Sequence, residues 1–275
     1  MTTSLPRWPP RPPVALTIAG TDSSGGAGVV ADLKTFEALG VWGTLALVAV
    51  TAQNTLGVQA IETLPAALVR AQIESVATDV GIDAVKTGML ARSDLVSAVA
   101  AAIRDFGVPN LVVDPVFVSK HGDTLLADDA VDALRSELLP LAALVTPNVP
   151  EAEALVGFAI ADRQSMEAAA QELLRSGAGA VLVKGGHLEG SISPDCLVVA
   201  GVAGAAWLEG DRIPGRHTHG TGCVLSAAIT AELARGRPIE HACLTAKRFV
   251  ERAIAGGLAL GSGIGPVNPG WASSP

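Results

Sequence analysis

From residue 14 onward, short runs rich in β-branched residues alternate with Ala- and Leu-rich stretches of helical period, and this alternation constrains the fold most. Six runs have strand character: VALTIAG (14–20), TLALVAVTA (44–52), DAVKTG (83–88), NLVVDP (110–115), AALVTPN (142–148) and AVLVKGG (180–186). Helix-like stretches fall between them at 29–39, 65–79, 92–106, 128–139 and 165–176. Strands separated by helices of this length form βαβ units, so the sequence predicts an α/β fold built on a mainly parallel sheet. The rhythm breaks at 195–213, where CLVVAG and AAWLEG, joined by a turn at 202–204, predict an antiparallel hairpin. Two more helices are expected at 222–234 and 239–255.

A chain of 275 residues with no internal repeat or interior linker suits one large core. The expected organisation is a single domain over 14–268, a loose Pro-rich head at 1–13 and a tail at 269–275. Hydrophobic residues make up 49% of the chain, which fits strands covered on both faces. Apolar stretches such as LALVAV at 45–50 are far short of the ~20 residues a membrane span requires. A net charge of −8, 3% aromatics and no Tyr leave neither a basic face nor stacking platforms for nucleic acid. Cys196, Cys223 and Cys243 stand far apart without a CxxC pair, which argues against a disulfide framework or a zinc site and suits a reducing compartment. The head, MTTSLPRWPPRPP, has no apolar core of a signal peptide, and a cytoplasmic protein is expected.

Each expected strand ends in polar residues: Gly20-Thr21-Asp22, Gln53-Asn54, Lys86-Thr87-Gly88, Asp114, Asn148 with Glu151, and Lys184 through His187. In open α/β sheets ligands bind beyond the carboxyl ends of the strands, so these clusters converge on one rim if the sheet is parallel. The set supplies both acidic groups suited to a metal and a cation suited to phosphate. The loop GTDSSGGAG (20–28) has neither GxGxxG nor a Walker lysine. Its Gly25, Gly26 and Gly28 fit either a tight βα turn or a close contact with a small ligand.

HTHGTGCVLSAAI (217–229) carries a stronger signal. Gly220 and Gly222 permit backbone angles that other residues resist, and the helix that follows leaves its first amides without internal acceptors. Amides and helix dipole together form an anion site suited to a phosphoryl group in transfer. Cys223 at this position is open to two readings: a proton acceptor beside the nucleophile, or a small core residue. His217 and His219 lack a third ligand nearby in sequence and are expected to hydrogen-bond locally. Lys120, in the polar stretch KHGD (120–123), is a solvated lysine or a phosphate contact. Cys196 and Cys243 are expected to be structural.

Taken in order, ALTIAGTDSSGGAG, ADLKTFEALG, TAQNTLGV, KTGML, VVDPV, TPNVPEAEAL, VLVKGGH, HGTGCVLSAAI and GIGPVN resemble the hydroxymethylpyrimidine/phosphomethylpyrimidine kinases of thiamine biosynthesis, in the ribokinase-like superfamily. The resemblance spans about 14–268. It implies a three-layer αβα sandwich, ATP with Mg²⁺, a homodimer, and two successive phosphorylations of an aminopyrimidine. By position, Gln53 resembles the residue that hydrogen-bonds the aminopyrimidine, with Gly20 and Met89 as walls. Asn148 and Glu151 are similar to the NxxE element that positions Mg²⁺ and phosphates, and Asp114 to the acidic residue beside it. Lys184 and Thr218 resemble nucleotide contacts, and Gly220, Gly222 and Cys223 the anion hole with its catalytic position. Many superfamily relatives carry Asp after GTG, whereas Cys matches the pyrimidine kinases. Some pyridoxal kinases also carry GTGC but add a lid cysteine, which VFVSKHGDTLL (116–126) lacks. A regulator without catalysis is the reading from another class, and the intact polar set argues against it.

Overall fold

The structure is a computed structural model that describes residues 11–117, 128–188 and 190–271. The chain runs β1 (Val14–Ala19), α1 (Gly28–Ala38), β2 (Trp42–Leu47), β3 (Ala49–Asn54), β4 (Gly57–Thr63), α2 (Ala66–Ser75), β5 (Ala84–Thr87), α3 (Ser93–Asp105) and β6 (Leu111–Val113). It continues through α4 (Asp128–Ala133), β7 (Leu144–Val145), α5 (Val149–Val156), α6 (Arg163–Leu174), β8 (Ala180–Val183), β9 (Asp195–Val199), β10 (Ala206–Leu208), α7 (Thr221–Ala234) and α8 (Ile239–Ala255).

Among the described residues eight strands form one sheet, in the order β10-β9-β8-β7-β6-β5-β1-β2. From β2 to β8 every pairing is parallel; β9 then runs antiparallel to β8, and β10 to β9. The inner strands β1, β5, β6, β7 and β8 are buried at every position, because helices cover both faces. On one face α2 to α6 pack over Ile18, Val85, Val113 and Val181. On the other, α1, α7 and α8 pack over Ala15, Ala84, Val112 and Leu182. Helix α7 is enclosed by sheet and helices alike, with every residue from Val224 to Leu233 buried. Its lack of a polar face is therefore the mark of a core helix. Among the described residues no helix is long and apolar enough to cross a membrane.

Four elements depart from the sequence expectation. The run TLALVAVTA is not one strand: β2 ends at Leu47 and the chain changes sheets at Val48. The Val48 amide donates to the Ala19 carbonyl (3.0 Å), and its carbonyl accepts from the Leu64 amide (2.8 Å). Beyond that bend β3 pairs antiparallel with β4 in a separate two-stranded sheet. A β-branched run keeps its strand character through such a bend, so composition does not reveal a change of partner. The expected helices at 65–79 and 128–139 end in π-helical turns, Val76–Val80 and Leu134–Leu138, the second followed by a 3₁₀ turn at Leu139–Leu141. Helix α5 was hidden by its prolines, yet Pro150 lies in the first turn, where its missing N–H removes no helical bond.

Ile18 is fully buried on β1, the strand next to the sheet edge, beneath the rim that carries the polar clusters. Ile18→Ala is expected to lower the free energy of unfolding by about 2–5 kcal/mol in a urea titration, with the m-value unchanged.

Candidate active site

The strand order reverses at β1, which has β2 on one side and β5 on the other, and a crevice opens beyond the carboxyl ends of β1 and β5. There a cavity of about 1060 Å³ is lined by every residue to which the family resemblance assigns a role.

Gly20, Gln53 and Met89 form one end of the cavity. A register shift between Ala52 and Gln53 breaks the β3–β4 ladder, a bulge that re-aims the side chain following it. The Ser23 hydroxyl fixes the Gln53 backbone, donating to its carbonyl and accepting from its amide, both at 2.7 Å. The Gln53 amide oxygen accepts from the Thr51 hydroxyl at 3.4 Å. Gly20 and Met89 meet as a wall: a Cβ on Gly20 would lie 2.3 Å from the Met89 methyl.

The middle of the cavity is the start of α7. Gly220 is left-handed (φ 80°), and a Cβ there would lie 1.9 Å from the Gly26 carbonyl oxygen. Both facts require glycine. Thr218, beside it, accepts the Thr221 hydroxyl on its carbonyl (2.8 Å). The Val224 amide donates back to Gly220 (2.9 Å) and the Thr221 amide reaches the Thr218 carbonyl (3.4 Å), while the amides of Gly222 and Cys223 belong to the first helical turn, which has no internal acceptors. A Cβ on Gly222 would stand 3.4 Å from Lys184 Nζ and 3.9 Å from an Asp114 oxygen. The open space over the amides therefore faces a cation.

Lys184, at the end of β8, donates to Asp114 at 2.9 Å and lies 3.8 Å from Glu151. Asp114 also accepts from the hydroxyls of Ser226 (3.1 Å) and Thr146 (3.3 Å). Burial raises the Asp114 pKa, but the charges of Lys184 and Lys86 overcome it and hold the carboxyl below the usual range. Glu151 goes the other way: burial pushes its carboxyl up, Lys184 opposes and Asp114 adds to the rise. Asn148 and Glu151 make a reciprocal capping box for α5, the Asn148 side chain accepting from the Glu151 amide (2.9 Å) and Glu151 from the Asn148 amide (2.7 Å). The NxxE spacing is thus a helix start that aims its groups at the cavity. Among the described residues no three His, Cys, Asp or Glu stand together as a metal site. Two carboxylates completed by phosphate oxygens are nonetheless an ordinary donor set for Mg²⁺.

Beneath Cys223 lies a pair of which the sequence reading named only Lys86, as one of a polar strand-end cluster, and not its partner. Lys86, fully buried on β5, donates to Asp32 of α1 at 2.9 Å, and the Thr17 hydroxyl donates to Asp32 at 2.6 Å. Burial works against the Lys86 charge, but Asp32, Cys223 and Asp114 outweigh it and keep the ammonium protonated. Each residue interrupts an apolar pattern, Lys86 in DAVKTG and Asp32 in VVADLKTF, and that interruption was the available signal. Burial pushes the Cys223 thiol up to about 11, with Lys86 opposing and Asp32 and Asp114 adding to the rise. The helix N-terminus does not yield a thiolate here. Cys196 and Cys243 are fully buried in the core. His217 accepts from the Gly265 amide (3.0 Å) and His219 meets Asp22 (2.7 Å); both partners are remote in sequence, so neither bond is the local one expected.

The far end of the cavity lies between residues 211–215 and α8. Lys247 donates to Asp195 (2.8 Å) and to the Ser193 carbonyl (2.7 Å), while Asp195 accepts from the Gly185 amide (2.9 Å). Arg212 donates to the carbonyls of Gly186, Leu188 and Gly190, tying down the segment after β8. Lys120 and most of the 116–126 stretch lie outside the described residues, as do the head up to residue 10 and the tail from 272.

The family model described as phosphomethylpyrimidine kinase matches residues 22–268. The hydroxymethylpyrimidine/phosphomethylpyrimidine kinase of Streptomyces coelicolor is 48% identical over 269 residues, 98% of either chain. The Bacillus subtilis pyridoxal kinase, solved as an ADP complex, superposes with a TM-score of 0.89 at 37% identity, covering 96% of this chain and 100% of that one. A phosphomethylpyrimidine kinase from Clostridium difficile 630 gives 0.78 at 41% identity, covering 88% and 99%. The three-layer ribokinase-like fold is common to them.

Two outcomes follow from this geometry. Gly222→Ala adds helix propensity but fills the space facing Lys184. It is expected to keep or raise the thermal midpoint while weakening ATP binding at least about 10-fold by calorimetry. With its thiol near 11, Cys223 is expected to react with iodoacetamide about 100-fold more slowly at pH 7.5 than a free cysteine, at a rate still rising past pH 9.5. Peptide mapping by mass spectrometry reads the rate at Cys223 alone.

Proposed function

The chain belongs to the phosphomethylpyrimidine kinase family, and we propose that it transfers the γ-phosphoryl group of ATP to the hydroxymethyl of 4-amino-5-hydroxymethyl-2-methylpyrimidine, then phosphorylates the monophosphate to the diphosphate used in thiamine biosynthesis. One observation carries this reading. A single cavity runs from Gln53, past the first amides of α7, to Lys184 and the far end beside α8. Its length offers a pyrimidine and a nucleotide one shared phosphate position.

The Gln53 side-chain amide supplies both a donor and an acceptor, which a ring nitrogen beside an exocyclic amine requires. Gly20 and Met89 bound a flat slot suited to an aromatic ring and poor in the hydroxyl partners a sugar needs. The hydroxymethyl oxygen then attacks the γ-phosphorus as the bond to the bridging oxygen breaks; ADP leaves, and the hydroxyl proton passes to a phosphate oxygen and from there to solvent. Negative charge spreads over the three oxygens in flight, and the amides of Gly222 and Cys223 with the Lys184 ammonium stabilise it without reorganising. Thr218, Asn148 and Lys184 serve the nucleotide side. Asp114 and Glu151 would hold Mg²⁺, which would supply positive charge against the phosphates.

The neutral thiol suits the two substrates. In the second step the attacking group is already an anion, so no strong base is needed, and an uncharged Cys223 repels it less than a carboxylate would. We take the working form to be a cytoplasmic homodimer, consistent with the exposed apolar side chains Val50, Leu56 and Ile61 on the β3–β4 hairpin. The similarity to a pyridoxal kinase favours pyridoxal as the second candidate substrate, and the missing lid cysteine in 116–126 argues against it.

ADP release, measured side by side with the hydroxymethylpyrimidine, its monophosphate and pyridoxal, is expected to show the highest kcat/KM with the first two. A pyridoxal preference, or turnover with none of them, would refute the reading. Cys223→Asp is expected to lower kcat/KM for the monophosphate at least about 10-fold more than for the hydroxymethyl substrate, the equivalent of about 1.4 kcal/mol of selective repulsion. Equal losses would contradict the role given to the neutral thiol.

A further inference from the structure

Asp22 sits in the loop after β1, almost wholly buried at the edge of the cavity, and it has the look of a general base. Its hydrogen bonds argue otherwise. One oxygen accepts the Ser24 amide (2.8 Å) and the Ser24 hydroxyl (2.7 Å); the other accepts the Gly26 amide (3.2 Å) and meets His219 Nε2 at 2.7 Å. Burial raises its pKa, yet the bonds from His219 and Ser24 outweigh that and hold the carboxyl below its usual range. A carboxylate so occupied is a poor proton acceptor and a good strut.

What the strut joins is the point of interest. The Asp22 loop begins at Gly20, a wall of the first cavity end, and its Ser23 clamps the Gln53 backbone on both sides. His219 immediately precedes Gly220 and the amides of α7. Its own backbone is fixed by donation to the Gly265 carbonyl (3.1 Å) and acceptance from the Val267 amide (3.0 Å). The two loops also touch directly, since a Cβ on Gly26 would lie 2.6 Å from the His219 ring.

We infer that the buried Asp22–His219 pair is a positioning element for phosphoryl transfer, holding the loop that fixes Gln53 at a set distance from the loop that presents the phosphate amides. This rests on the kinase reading above. Binding at either end draws on its own loop, so the pair governs the alignment between ends and not the affinity at either. A misplacement near 1 Å in a near-attack geometry costs about 100-fold in rate, which sets the scale.

The test compares the full-length wild type with His219→Leu and His219→Gln, using ATP and the hydroxymethylpyrimidine. Wild-type turnover must come first: its absence would sink the kinase reading and this inference with it, whereas the variants, compared with an active wild type, test the inference alone. His219→Leu removes the bond to Asp22 and is expected to lower kcat at least about 30-fold, with KM for each substrate changed less than about 3-fold. His219→Gln keeps an amide donor near the Nε2 position and is expected to restore kcat to within about 5-fold of wild type. Should the leucine variant not fold, Asp22→Asn, of nearly the same size, reads the same division between kcat and KM. A glutamine variant as impaired as leucine, or a loss that falls on KM, would overturn the proposal.

Discussion

The site depends on one backbone contact. Gly220 turns left-handed and presses against the Gly26 carbonyl so closely that no side chain fits between them. That contact brings the loop after the first strand and the start of the penultimate helix together, although almost 200 residues of chain separate them. The buried course of α7 fixes where its amides point, since sheet and helices hold it on every side. A helix on the surface would leave those amides free to shift with each fluctuation of the chain. Enclosed as it is, α7 presents a rigid set of donors, which is what stabilisation of a transient anion requires.

Electrostatics complete what the backbone begins. The chain carries a net charge of −8, so its surface as a whole does not attract a nucleotide. The attraction is local and inside. Lys184 stands between two carboxylates at the cavity, and Lys86 is fully buried with Asp32 beneath it. A buried pair such as Lys86–Asp32 contributes little to stability for the desolvation it demands. Its value is positional, a fixed positive charge close to Cys223 and Asp114. The same surroundings keep the thiol neutral, because burial and two nearby carboxylates outweigh that one ammonium.

The sequence made the parallel sheet legible because inner strands such as VALTIA are apolar without interruption, and made the anion loop legible because its glycines have few other uses. It concealed whatever depends on partners. Nothing in TLALVAVTA marks Val48 as the place where one sheet yields to another, and β4 is exposed along most of its length, so no alternation announces it. The bulge that turns Gln53 inward follows from pairing with β4, so Gln53 could be placed only by resemblance. The Lys86–Asp32 pair joins a strand and a helix 54 residues apart, and each member alone reads as a flaw in an apolar pattern. The direction of the Cys223 shift was likewise closed to the sequence. The dipole of its own helix is visible there, whereas burial and the carboxylates that overrule it come from elsewhere in the chain.

The proposed transfer depends on a shared phosphate position reached from both ends of one cavity. A crystal structure of the protein with the hydroxymethylpyrimidine and a non-hydrolysable ATP analogue measures it directly. The γ-phosphate is expected on the amides of Gly222 and Cys223, the ring on the Gln53 side chain, and the hydroxymethyl oxygen about 3–3.5 Å from the γ-phosphorus. A γ-phosphate bound away from those amides, or a pyrimidine that does not touch Gln53, would contradict it.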